Sequence, residues 1–153
     1  MKVEQLMTPS PATCGMTDNL AQVVERMWDA NCGIVPVVDD IGRVLAVITD
    51  RDICVAAATR GLAPGDIRAE EMPRKPVVCC RPDNTVKDAL RLMAEHRVRR
   101  LPVTSDKGIL HGIISLDDIA ITAGARNTVS AAEVLSTMKA IYAQPLPVAH
   151  HAA

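Results

Sequence analysis

"ITDRDI" (48–53) and "ISLDDI" (114–119) decide the reading of this chain. In each, an apolar run ends in a hydroxyl, Thr49 or Ser115, and a carboxylate follows three residues on, Asp52 or Asp118. A hydroxyl ahead of a helix caps the open N–H groups of its first turn, and a carboxylate at the third helical position completes a capping box and suits the positive end of the helix dipole. For an isolated pair, that cap is explanation enough. A helix start behind a buried strand is also a place where anions and sugar hydroxyls bind, so the same residues suit a ribose or a phosphate. The two readings are compatible.

Working outward, residues 18–54 align with 84–120 at a constant offset of 66. Met27 meets Met93, Val35-Pro36-Val37 meets Leu101-Pro102-Val103, and Gly42 meets Gly108. Upstream the best register is 65, pairing Met7 with Met72, Pro11 with Pro76 and Cys14 with Cys79. A repeat of this length sets the architecture before any local propensity does. In each copy an amphipathic helix ("NLAQVVERM", "TVKDALRLM") precedes a buried strand, a Gly-containing turn, a second strand and a second helix. With short strands expected at Ala12–Cys14 and Val77–Cys79, each copy reads β-α-β-β-α. The fold class is α/β (α+β), with two repeats packed as a pseudo-two-fold pair. The sequence divides into repeat 1 (1–61), a linker (62–66), repeat 2 (67–124) and a C-terminal helix and flexible tail (125–153). "SAAE" (130–133) is a capping box ahead of an apolar stripe, which predicts a helix over 128–144, expected to pack on a second subunit in preference to its own module.

The chain has 153 residues and a net charge of −1, with no Phe, one Trp and one Tyr. No whole-molecule field draws it to nucleic acid, and base-stacking aromatics are lacking. No apolar stretch suggests a membrane span or a signal core, so a cytoplasmic protein is expected. Five Cys without a C-x-x-C fit reduced thiols. No nucleophile–base order, acid pair or phosphate loop argues for catalysis, so no enzyme, no cofactor and no metal site is expected. His150 and His151 fall in a Pro-containing tail expected to be disordered.

The repeat resembles a pair of CBS (cystathionine β-synthase) domains, a Bateman module. The residues that carry the resemblance are "MTPSPAT" and "MPRKPVV" at the heads, "GIVPVVDDIGRVLAVITDRDI" in the first copy and "RRLPVTSDKGILHGIISLDDI" in the second. It covers about residues 3–123 and is similar to stand-alone bacterial CBS-pair proteins. The resemblance implies a regulatory protein that binds an adenine nucleotide or other adenosyl ligand, such as AMP or ATP, between the copies. Ribose and phosphate would fall to Thr49 and Asp52, and to Ser115 and Asp118. The base would fall to Thr13, Ile34 and Pro36, and to Val78, Arg100 and Pro102. Arg99 and Arg100 in copy two, and Arg51 in copy one, would reach phosphate. Asp117, where copy one has Arg51, would repel it, so the pockets are not equivalent; Asp52 is expected to matter more than Asp118. The resemblance also implies a homodimer through helices near Ile53–Thr59 and Ile119–Ala123, with room for an unknown protein partner. Two other readings stand beside it: a ligand-independent protein-interaction module, and a metal or redox sensor acting through Cys14 and Cys79.

Overall fold

The computed structural model describes residues 1–125 and 129–143. The remaining residues, His150 and His151 among them, lie outside the described residues. Each repeat contributes one amphipathic helix, one β-hairpin and one helix that leaves the hairpin directly. In repeat 1 these are α1 (Leu20–Asp29), β2 (Ile34–Val38), β3 (Val44–Thr49) and α2 (Asp50–Arg60); in repeat 2 they are α3 (Val86–His96), β4 (Arg100–Thr104), β5 (Leu110–Ser115) and α4 (Leu116–Thr122). A short strand β1 (Thr8–Pro9) precedes them and a helix α5 (Ala131–Tyr142) follows. Among the described residues no helix is long and apolar enough to cross a membrane.

Local chemistry explains the element ends. Asn19 caps α1 and Thr85 caps α3 through capping boxes with Gln22 and Asp88. Gly61, at φ 64°, ends α2 in the left-handed conformation. The hairpins turn at Gly42 (φ 82°) and Gly108 (φ 77°), a region open to a residue without Cβ. The two turns also meet. Val44 donates to the Gly108 carbonyl at 3.0 Å and Leu110 to the Gly42 carbonyl at 2.9 Å. The hairpins therefore join tip to tip across the pseudo-two-fold.

Two cores form, one per repeat, and each takes the head of the other copy. Val3 is buried with Val86, Leu90, Met93, Leu101 and Ile114 of repeat 2. Ile67, Ala69 and Met72 are buried with Leu20, Val23, Val35 and Ile48 of repeat 1. The backbone fixes both crossings in the same way: Val3 donates to the Asn84 carbonyl and Ala69 to the Asp18 carbonyl, each at 2.9 Å. Each core thus draws on both sequence ranges.

This exchange corrects the register of the heads. Lys2 bridges Thr85 and Arg68 bridges Asn19; Cys14 bridges Val37 and Cys80 bridges Val103. The offset is 66 throughout, so Cys14 corresponds to Cys80 rather than Cys79. The strands expected at Ala12–Cys14 and Val77–Cys79 reduce to those single bridges at Cys14 and Cys80.

The sheets are unequal. β2 and β3 form a two-stranded sheet, whereas β1 adds to β5 and β4 to make three strands. The cause is residue 112. A Cβ on Gly112 would lie 2.7 Å from the Thr8 carbonyl oxygen, so only glycine lets β1 close on β5. Repeat 1 has Ala46 at the equivalent place, and residues 74–75 form no strand against it.

Helix α5 packs on α3 and α4 of its own chain, burying Val134 and Thr137. The expectation that it packs on a second subunit is corrected accordingly. Its apolar residues are spread widely enough around the helix that one face covers repeat 2 while Leu135, Met138 and Tyr142 stay exposed.

Candidate functional site

Both hydroxyl–carboxylate pairs form the cap. Thr49 Oγ1 donates to Asp52 Oδ2 at 2.6 Å, while Asp52 N donates back to Thr49 Oγ1 at 3.2 Å. Ser115 Oγ donates to Asp118 Oδ2 at 2.6 Å, and Asp118 N donates to Ser115 Oγ at 3.1 Å. The backbone N–H groups of Thr49 and Ser115 reach the same Oδ2 atoms at 3.1 and 2.9 Å. Among the described residues neither Oδ1 takes a hydrogen bond. Thr85 with Asp88 makes an identical box on an exposed helix start, so the motif itself does not define a site. Its surroundings do.

Ser115 and Asp118 open into a cleft of about 290 Å³ between the repeats. The head supplies Thr8, Pro11 and Ala12; repeat 1 supplies Ala30, Asn31, Cys32 and Ile34; repeat 2 supplies Arg100, Ile113 and Asp117. Register explains the grouping, since Arg100 pairs with Ser115 across the β4–β5 hairpin as Ile34 pairs with Thr49 across β2–β3. Asn31 reaches the rim with φ 47°, a left-handed conformation that Asn tolerates. Arg100 is half-buried, and its guanidinium makes no ion pair among the described residues. The cleft therefore combines apolar walls with one unpaired cation and two carboxylates.

Arg51 and Asp52 lie elsewhere, in a second cleft of about 330 Å³ beside Thr59, Arg60, Met72, Pro73 and Lys75. Arg60 is occupied there, donating to the Glu71 carbonyl at 2.9 Å.

The structure thus brings Ile34, Arg100, Ser115 and Asp118 together, with Ile34 facing the hydroxyl–carboxylate pair of the opposite repeat. Thr49 lines neither cleft. Thr13 uses its carbonyl to accept from Arg26 Nη1 at 3.2 Å. Pro36 and Pro102 are buried and accept from the N–H groups of Cys14 and Cys80, each at 3.0 Å. Val78 packs on the repeat 2 core. Arg99 turns the other way from Arg100 and donates to the Tyr142 hydroxyl at 3.3 Å. Sequence reasoning missed Thr8, Pro11, Ala12, Ala30, Asn31, Cys32 and Ile113 as lining residues; the Gly112–Ala46 difference was the visible sign that β1 sits close by.

Cys14 and Cys80 sit apart. Cys14 lies in the repeat 1 core and Cys80 in that of repeat 2. Burial, reinforced by Asp18, pushes the Cys14 thiol up to about 11, and burial pushes Cys80 up to about 12. Burial also raises Cys79. Thiols so raised stay protonated near neutrality, whereas the thiolate is the nucleophile and metal ligand. Among the described residues, no three His, Cys, Asp or Glu side chains converge on a metal position. Near Cys14, Arg26 pairs with Asp18, and this hydrogen bond holds the Asp18 carboxyl below its usual range.

The CBS domain family matches residues 3–58 and again 69–122. The chain belongs to the CBS domain family. Among CBS relatives, the uncharacterized protein YlbB of Bacillus subtilis (strain 168) is 36% identical over 125 residues, covering 79% of this chain and 81% of YlbB. A crystal structure of Hypoxic Response Protein I with two coordinated zinc ions has a TM-score of 0.71 at 28% identity, covering 79% of this chain and 98% of that one. The CBS domain pair of protein MJ0100, solved in complex with 5′-methylthioadenosine and S-adenosyl-L-methionine, also has a TM-score of 0.71 and covers 79% of this chain and 98% of that one. At 22% identity this last likeness is one of fold.

Proposed function

We propose that this CBS pair is a regulatory protein that binds an adenosyl ligand in the inter-repeat cleft. The observation that carries the reading is that the Asp118 carboxylate lines the same cleft as Arg100, which makes no ion pair among the described residues, and the apolar Ala12, Ile34 and Ile113. A carboxylate oxygen accepts from ribose hydroxyls, apolar side chains take the two faces of a base, and Arg100 is left for the 5′ side of the ligand. Both repeats and the head touch the ligand, so its binding favours one relative placement of the repeats over others. The fold shared with the MJ0100 pair supports the reading. The role is regulatory rather than catalytic, in the cytoplasm.

A thermal-shift screen with adenosine, AMP, ATP and S-adenosylmethionine tests it. At least one of these raises Tm in the wild type and loses that effect in Asp118→Ala. No shift with any of the four refutes the adenosyl reading.

We also propose that the protein is a homodimer. Ile53 and Ile119 are spent on the internal cores, but Val55 on α2 is 52% exposed and Ile121 on α4 is 84% exposed, at equivalent places in the two repeats. Light scattering at micromolar concentration gives twice the chain mass if these faces pair, and the chain mass otherwise.

Interaction with another protein, independent of ligand, is the second reading. Trp28, 85% exposed, borders an open groove of about 590 Å³ with Val24, Met27 and Ile53. An apolar edge of this kind suits a protein partner.

A further inference from the structure

We propose that the inter-repeat cleft selects adenosyl ligands by the charge of the 5′ substituent. It accepts a neutral or cationic group and turns phosphates away, and Asp117 is the selecting residue. The inference rests on the adenosyl reading above and adds the class of ligand.

The cleft sets two carboxylates, Asp117 and Asp118, against one guanidinium, Arg100. The cap uses one oxygen of Asp118 without removing its charge. A phosphomonoester brings about −1.5 to −2 more charge at pH 7. Arg100 can balance part of that; Asp117 adds to the excess. A ligand whose 5′ substituent carries a sulfonium or an ammonium meets the opposite situation. Its cation pairs with Asp117, and any carboxylate on the same substituent pairs with Arg100, a fork suited to it.

The second repeat position gives an internal contrast. Where repeat 2 has Asp117, repeat 1 has Arg51, at the same place in the first turn of the helix that leaves the hairpin. Arg51 and Lys75 line the second cleft, whose acid is Asp52. The same scaffold therefore presents opposite signs at its two hydroxyl–carboxylate corners.

Calorimetric titration of the full chain with adenosine, S-adenosylmethionine, AMP and ATP tests this. An Arg51→Ala, Lys75→Ala double variant removes the competing cationic cleft. In that background adenosine and S-adenosylmethionine bind more tightly than ATP. Asp117→Asn tightens ATP by roughly threefold or more and weakens S-adenosylmethionine by a similar factor, the scale of one charge removed at a partly solvated distance. Asp117→Glu keeps the wild-type order. Raising the salt concentration strengthens ATP binding, as screened repulsion must. ATP binding as tightly as adenosine, or an order unchanged by Asp117→Asn, overturns the charge selection while adenosine binding upholds the adenosyl reading. Failure of all four ligands to bind overturns both.

Discussion

Leu90 on α3 and Val24 on α1 hold the same place in the two repeats, yet Leu90 is 4% exposed and Val24 is 41% exposed. The difference is α5, which lies on α3 and has no counterpart on α1. Two further pairs behave alike. Gly112 admits β1 where Ala46 admits nothing, and Asp117 stands where Arg51 does. The repeats thus share a frame fixed by hairpins, caps and crossed heads, and they diverge at positions that meet a neighbour. Equivalence in the repeat is a statement about the backbone; what a side chain does depends on which element has been laid against it.

Removing that neighbour is the largest test. A chain ending at residue 128 loses Val129 and the buried Val134 and uncovers Leu90, costing about 3 kcal/mol of stability. Val24→Ser, on the open face of repeat 1, changes stability by less than about 0.5 kcal/mol. Chemical denaturation measures both, and equal effects would mean that α5 adds nothing to repeat 2.

The second test compares the carboxylates. Asp118→Ala weakens the best adenosyl ligand by about 1.5–3 kcal/mol, roughly ten- to a hundredfold, because its carboxylate lines the inter-repeat cleft. Asp52→Ala, in the separate cleft, changes that affinity less than about threefold. This reverses the ranking drawn from the sequence, and titration of both variants decides it.

The third compares the strands. Gly112→Ala places a methyl against the Thr8 carbonyl and costs about 1–3 kcal/mol. Ala46→Gly costs about 0.5–1 kcal/mol from added chain entropy alone. Since Thr8 lines the cleft, Gly112→Ala also weakens ligand binding, and Ala46→Gly does not.

The smallest concerns an ion pair found in repeat 1 alone, Asp18 with Arg26, where repeat 2 has Asn84 and Leu92. The folded state lowers the Asp18 carboxyl below its ordinary value of 3.8, so the pair's contribution is present above that value and fades as pH falls through the depressed one. Asp18→Asn therefore costs under about 1 kcal/mol at neutral pH. Below pH 3.8 the gap between variant and wild type closes, which denaturation across pH would show.

Much of this was legible in the sequence because it is local. The capping boxes at Thr49, Ser115 and Ser130, the turns at Gly42 and Gly108, and the α2 stop at Gly61 each follow from residues within one turn. The repeat itself predicted the paired hairpins. The crossing of the heads was not legible, because Val3 and Ala69 are small buried residues whose sequence fits either core equally well. Ile34 was foreseen as a lining residue of a cleft between the copies, but that it shares the cleft with Ser115 and Asp118 of the other copy depends on how the repeats pack. Arg99 and Arg100 are adjacent and chemically alike; only the direction each takes from the strand start separates the one that meets Tyr142 from the one in the cleft. Which face of α5 is covered follows from tertiary packing, because both faces are apolar.

The crossed heads bear on how the chain comes to be folded at the ribosome. Val3 leaves the tunnel long before Val86, Leu101 and Ile114, the residues it is buried with. Repeat 1, for its part, lacks Ile67, Ala69 and Met72 until the start of repeat 2 has been made. Neither half can close its core while the nascent chain holds only its own sequence. The repeat 1 core can close as soon as Met72 has emerged, whereas Val3 keeps its apolar side without a core until translation has supplied Val86, Leu101 and Ile114.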